Sequence, residues 1–231
     1  MRTIGLLGGM SWESSAIYYK LINERVKEKL GKLHSAKSIM YSVDFQLIKD
    51  LQFEGKWSKA TVELIKAAKC VEKGGGDFLI ICTNTMHKMA EEIQGAISIP
   101  VLHIADTTGE EIEKSGIRKI GLLATKFTME QEFYKGRLQS KYGIDVIIPN
   151  EEERIMIHDI IYNELCLGDI RTESRQIYKE IIDRLIERGA EGIILGCTEI
   201  TMLIKEQDIN IPVFDTTKIH AIKAADYAMN K

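Results

Sequence analysis

Three segments of this chain occur twice, in the same order. Ile120-Gly121-Leu122-Leu123-Ala124-Thr125 repeats Ile4-Gly5-Leu6-Leu7-Gly8-Gly9 at a distance of 116 residues. The run Ile193-Ile194-Leu195-Gly196-Cys197-Thr198-Glu199 repeats Phe78-Leu79-Ile80-Ile81-Cys82-Thr83-Asn84-Thr85, thiol to thiol, at 115. Ile211-Pro212-Val213 with Asp215-Thr216-Thr217 repeats Ile99-Pro100-Val101 with Asp106-Thr107-Thr108, proline to proline, at 112. A duplicated βαβ unit accounts for all three, so the expected fold is α/β, with two pseudo-symmetric lobes, each a parallel sheet flanked by helices. At 231 residues and 45% hydrophobic content the chain is long enough for two cores. The expected division is 1–103 plus 214–231 for the first lobe and 104–213 for the second. Open parallel sheets carry their sites at strand C-terminal ends, so the ends near Gly9, Thr83, Thr125 and Cys197 are expected to line one cleft between the lobes.

Between these landmarks the elements follow from periodicity. A strand from Ile4 runs into a glycine turn and a long helix through Tyr18, Leu21, Ile22 and Val26. A strand is expected over Ser38–Val43, a loop from Asp44 to Gly55, and a helix over Ser58–Lys73 stopped by Gly74-Gly75-Gly76. A helix over Met86–Ile93, a strand over Ile99–Ile104 and a helix capped near Asp106-Thr107-Thr108 complete the first copy. Gly5, Gly8 and Gly9 do not fit the G-x-G-x-x-G dinucleotide fingerprint. That glycine turn is either structural or a place where backbone amides meet an anion.

The two thiol strands are the candidates for chemistry. Each is a β-branched run that delivers a cysteine to its end and then opens a helix with hydroxyl and amide residues. Four cysteines without a Cys-x-x-Cys pair suggest reduced thiols rather than a disulfide framework or zinc site. Cys70 and Cys166 sit in helical patterns and read as packing residues. His87 and His220 read as capping or packing residues, and no pair of histidines has metal-ligand spacing, so no metal is expected. A net charge of −3, spread along helices without a basic stripe, argues against nucleic acid and anionic membranes as partners. No apolar run approaches the length of a membrane span and Met1-Arg2-Thr3-Ile4 enters a strand directly, so a cytoplasmic protein acting on a small molecule is expected.

Taken together, Gly-Gly-Met-Ser at 8–11, Cys-Thr-Asn-Thr-Met-His at 82–87, Leu-Leu-Ala-Thr at 122–125 and Gly-Cys-Thr-Glu at 196–199 resemble the aspartate/glutamate racemase superfamily over nearly the whole chain. Ser11-Trp12-Glu13-Ser14, Leu33-His34-Ser35-Ala36, Ser42-Val43-Asp44-Phe45 and Glu164-Leu165-Cys166-Leu167-Gly168 resemble its broad-specificity amino-acid racemase branch. The resemblance implies a racemase independent of pyridoxal phosphate, a homodimer, and an amino acid as substrate. Inverting a weakly acidic Cα–H without a cofactor requires a base on one face, an acid on the other, and stabilisation of the carbanion between them. A cysteine fits because its reference pKa of about 8.5 falls at a helix N-terminus.

By that resemblance Cys197 is the second-lobe base, and Met10, Gln52, Asn84, Thr85, Thr125, Thr198 and Glu199 are the substrate-binding residues. Glu199, where glutamate racemases carry a histidine, either orients Cys197 or neutralises the substrate ammonium. In the first lobe the repeat selects Cys82. Anchoring on the family's Asn-Thr-x-His instead selects Thr83 and turns Cys82 into the sheet packing, because neighbouring side chains of an extended chain point opposite ways. Aspartate-specific members carry an arginine in the loop corresponding to 44–54 and a lysine in the segment corresponding to 162–168. Gln46, Gln52 and Cys166 stand in those regions here, which favours a broad or neutral substrate range. An amino-acid-binding protein without turnover, and a decarboxylase or isomerase of the same superfamily, are the rival readings.

Overall fold

Strand β1 (Ile4–Gly8) is buried along its whole length and lies between β2 (Ser38–Ser42) and β3 (Phe78–Ile81), both parallel to it. A strand covered on both faces must be apolar at every position, which is why β1 and β3 read as unbroken hydrophobic runs. In this computed structural model, which describes residues 1–230, helix α1 (Trp12–Leu30) packs Tyr18, Ile22 and Val26 on one face of the sheet, against Ile4, Leu6, Phe78, Ile80 and Cys82. The other face, with Leu7, Leu79 and Ile81, is covered by α2 (Phe45–Phe53), α3 (Trp57–Lys73) and α4 (Ala90–Ala96). Alternation along β3 therefore decides where each side chain goes, and Cys82 falls on the α1 face.

The chain forms two compact units, the first comprising Met1–Ile104 with the C-terminal stretch from His220, the second Ala105–Ile219. It enters the second along α5 (Ile104–Ser115) and then forms β4 (Lys119–Leu123), α6 (Lys126–Glu130), α7 (Glu132–Tyr142) and β5 (Asp145–Ile147). Helices α8 (Glu151–Asn163) and α9 (Thr172–Glu187), β6 (Gly192–Leu195), α10 (Ile200–Leu203) and β7 (Val213–Asp215) follow, and α11 (Thr216–Met229) carries the chain back. The second sheet has the order β5-β4-β6-β7, all parallel. Its strand β7 pairs with β6 from Val213 to Asp215 at the edge of this sheet. A reciprocal capping box between Asn150 and Glu153 starts α8, and the Glu153 carboxylate also pairs with Arg184 of α9.

The repetition extends to individual hydrogen bonds. Cys82 N–H donates to the Leu7 carbonyl at 2.9 Å, and Gly196 N–H donates to the Leu123 carbonyl at 2.7 Å. Leu79 N–H meets the Pro100 carbonyl at 2.8 Å, and Ile193 N–H meets that of Pro212 at 2.9 Å. Gly5 and Gly121 occupy the same place in the two copies, where an added Cβ would run into Val71 or into Leu185 and Ile193.

Three expectations change. The segment 44–55 is helical over Phe45–Phe53, with the Asp44 side chain accepting from Gln46 N–H at 3.1 Å as N-cap and Ile48 buried in the core. The strand expected at Ile99–Ile104 contracts to a single bridge, Leu79 to Val101, because Pro100 has no N–H to donate and α5 already begins at Ile104. The helix after β3 begins as a 3₁₀ turn, Thr85–Met89, before α4.

Buried His220 shows what the polar groups of the α1 face contribute. Tyr18 donates its hydroxyl to Nδ1 at 2.9 Å, while Nε2–H donates to the Leu102 carbonyl at 2.8 Å. Burial lowers the pKa to about 4. A cationic group with a depressed folded-state pKa binds its proton more readily when unfolded, so its contribution is complete above about 6.5 and fades as the pH falls towards 4. The expected loss over that interval is roughly 3 kcal/mol. Urea unfolding of the wild type and His220→Asn at pH 7 and pH 4.5 should show a steeper acid loss for the wild type. Equal losses would remove His220 from the account.

Candidate active site

In the second unit Cys197 lies just past the end of β6, half-buried, where pairing has stopped and the chain turns towards α10. Its Sγ–H donates to Oε2 of Glu199 at 2.9 Å. Burial pushes the thiol well above the ordinary range for cysteine, and the Glu199 carboxylate and nearby Cys166 push it the same way. This corrects the expectation of a pKa lowered by a helix start: α10 has only four residues, and the facing carboxylate opposes the thiolate charge. Cys197 is therefore held as a thiol, hydrogen-bonded to the Glu199 carboxylate.

Thr198 and Glu199 are buried beside it. The Thr198 hydroxyl lies 2.8 Å from that of Thr217 at the start of α11, and Thr216 donates its hydroxyl to the Leu195 carbonyl at 3.0 Å. Thr125 caps the strand β4 next door and starts α6, with its hydroxyl 3.3 Å from that of Thr128. Parallel pairing of β4 and β6 accounts for this grouping of Thr125 with Cys197.

In the first unit the pairing of β1 with β3 groups the turn at Gly9 and Met10 with residues 82–85. Cys82 is fully buried in the apolar cluster on the α1 face, and burial alone raises its pKa far above the ordinary thiol range. Thr83 is half-buried. Because β1/β3 and β4/β6 share one register, Phe78 corresponds to Gly192, Cys82 to Gly196, and Thr83 to Cys197. The thiol-to-thiol match seen in the sequence is out of step with this pairing by one residue.

Asn84 and Thr85 are buried directly after Thr83, and Gln52 is buried on α2. Met10 packs its side chain with Leu7, Ile48 and Leu64. The glycine turn before it is occupied internally. Gly9 has a φ of +90°, with the Val43 backbone against the position of a Cβ, and its N–H donates to the Ser15 hydroxyl at 2.8 Å. Neither Ser14, which donates its hydroxyl to the Cys82 carbonyl at 3.2 Å, nor the Thr216-Thr217 pair was among the site residues expected from the sequence. The second was visible in the repeated Asp-Thr-Thr, whose helix-start position suggested only capping.

Among the described residues no cluster of histidines, cysteines and carboxylates has the arrangement of a metal site, and no helix is long and apolar enough to cross a membrane.

Comparison with known proteins places this arrangement among relatives. The family profile described as Asp/Glu/Hydantoin racemase matches residues 7–224. The broad specificity amino-acid racemase RacX of Bacillus subtilis is 26% identical over 224 residues, covering 93% of this chain and 92% of the relative. A Yersinia pestis structure provisionally assigned as an Asp/Glu racemase is 53% identical, with a TM-score of 0.94 and 100% of both chains covered. An aspartate racemase homologue from Pyrococcus horikoshii is 36% identical, with a TM-score of 0.86 and 100% of both chains covered.

Proposed function

Since this chain belongs to the Asp/Glu/hydantoin racemase family, we propose that it is an amino-acid racemase working without pyridoxal phosphate, with Cys197 as one base and Thr83 serving the opposite face of the substrate Cα. The observation that carries this reading is the shared register, which gives Thr83 and Cys197 the same place in the two repeats, each half-buried and two residues beyond the end of a buried strand.

The chemistry follows from the groups present. Asn84, Thr85 and Thr198 supply amide and hydroxyl donors to the α-carboxylate, whose negative charge grows as the carbanion forms. Glu199 takes the Cys197 proton along the existing Sγ to Oε2 contact. The resulting thiolate removes the Cα proton, and the Thr83 hydroxyl relays a proton from water to the other face. The hydroxide left behind is neutralised by the proton held on Glu199. In the reverse direction each proton retraces its path.

Gln46, Gln52 and Cys166, where aspartate-specific relatives carry charged partners, favour a substrate range that is not confined to acidic side chains. A screen of both enantiomers of many amino acids in heavy water, read by NMR, tests activity and range together. Exchange and inversion of several substrates is the expected result, with aspartate favoured by less than about a hundredfold, roughly 2.7 kcal/mol, over the best neutral one. Binding without exchange would make the chain an amino-acid-binding protein, and loss of carbon dioxide from a diacid would make it a decarboxylase.

A further inference from the structure

His87 is buried one helical turn beyond Thr83, and the proton transfers above make no use of it. Its Nδ1 lies 2.7 Å from the Thr83 carbonyl oxygen, and its Nε2 lies 3.2 Å from the Ile104 backbone nitrogen. A carbonyl only accepts and a backbone N–H only donates, so one state satisfies both: a neutral imidazole with its proton on Nδ1. The other neutral tautomer loses both bonds, and the cation sets a second N–H against that of Ile104. Packing at 4.6 Å from the His103 ring and 5.7 Å from the His220 ring completes the setting.

What His87 grips matters because Thr83 stands where the sheet no longer dictates conformation. Strand β3 ends at Ile81, and the Thr83 N–H folds back on the Ile81 carbonyl at 2.8 Å. The peptide plane that follows Thr83 is fixed by the imidazole, and through the backbone torsions that plane sets the direction of the side chain. The second repeat is built differently. Its counterpart of His87 is Thr201, whose hydroxyl bonds the Thr198 carbonyl at 2.7 Å, and the Cys197 carbonyl accepts from Ile200 N–H at 3.2 Å. A thiol held by Glu199 carries its own orienting partner, whereas a threonine hydroxyl beyond a strand end depends on its backbone.

We infer that His87 is a positioning residue for the reaction: it holds the Thr83 carbonyl, and with it the Thr83 hydroxyl, in the geometry that proton relay requires. This inference rests on the assignment of Thr83 as the first-unit group. Two isosteric variants separate the halves of the imidazole. In His87→Asn the amide nitrogen replaces Nδ1 and keeps the bond to Thr83, whereas in His87→Gln the amide oxygen replaces Nε2 and keeps only the bond from Ile104.

Each variant loses one hydrogen bond, so a merely structural role predicts similar melting temperatures and similar activities. The positioning role predicts that His87→Asn keeps kcat within about threefold of wild type. His87→Gln should lose about tenfold or more in kcat with KM nearly unchanged, the size of effect expected when a reacting group is displaced by a fraction of an ångström to 1 Å. Equal activities, or a weaker Asn variant, would overturn it. Thr83→Ala in the same assay separates the two ideas. Full activity there removes the Thr83 assignment, while an impaired Thr83→Ala beside an unaffected His87→Gln removes the inference alone. Histidine 15N shifts of the unmodified protein give a readout independent of variant folding: a proton on Nδ1 of His87 is expected, and a proton on Nε2 refutes the geometry.

Discussion

Replacing Cys197 by serine should lower α-proton exchange by about 10²- to 10⁴-fold while leaving the melting curve nearly unchanged. That range is what a positioned acid–base group contributes, and a serine hydroxyl is too weak an acid to take the place of a thiol. The residue sits past a strand end and is half-exposed, so the fold loses little. The Glu199 contact adds a sharper test of the same site. Burial and then the Glu199 carboxylate raise the thiol pKa. Removing that charge in Glu199→Gln lowers the pKa, which increases the thiolate fraction at any pH below it. Alkylation of Cys197 by iodoacetamide at pH 8 should therefore accelerate in Glu199→Gln while racemisation falls, because the proton acceptor is gone. If both rates rise, Glu199 only suppresses the thiolate, and its role as acceptor is refuted.

The architecture was legible because strand registers and strand order leave marks at long range. Ile4/Ile120 and Pro100/Pro212 sit in matching places of their units, and the stop at Gly74-Gly75-Gly76 closes α3 after Lys73 as expected. What the sequence hid was local. In α2 the polar Gln46, Lys49 and Asp50 mask a helix whose inward positions are Phe45, Ile48 and Gln52, and a glutamine at an inward position gives no hydrophobic signal. The segment 99–104 has the composition of a strand, but one proline and an early helix start leave room for a single bridge.

The candidate site was legible as residue types and hidden as electrostatics. The sequence places Cys197 before a helix and so suggests a low pKa. The length of that helix and the packing around the sulfur are tertiary facts, and they reverse the sign. His87 was visible four residues after Thr83, a spacing that permits a side chain to reach back to a carbonyl, but only coordinates show that it does.

The thiol pairing is the most instructive of these. The separation between the copies is 116 at β1/β4 and 112 at the prolines, so it shrinks along the chain. A cysteine-to-cysteine match at 115 looks natural within that drift, yet the sheet pairings give Cys82 the place of Gly196 and Thr83 the place of Cys197. The two candidates differ in everything that governs proton transfer. Cys82 faces Tyr18, Ile22 and Ala221 in an apolar cluster that excludes water, and its thiol is held in the neutral form. Thr83 has solvent access and, through His87, a fixed backbone.

Cys82→Ala is therefore expected to keep exchange within about threefold of wild type and to show its effect in stability, at about 1 to 2 kcal/mol for loss of a buried sulfur. Thr83→Ala should lower exchange by about a hundredfold, towards the lower end of the range for a positioned acid–base group. Thr83→Cys should keep or raise the rate from the enantiomer that the first-unit group deprotonates, since a thiol is the stronger acid of the two. The equilibrium constant between free enantiomers remains one, so kcat/KM must change equally in both directions, and the asymmetry can appear only in kcat and KM taken separately. An inactive Cys82→Ala beside an active Thr83→Ala would return the role to the thiol and require the end of β3 to turn by one residue, against the Cys82 to Leu7 hydrogen bond that now fixes it.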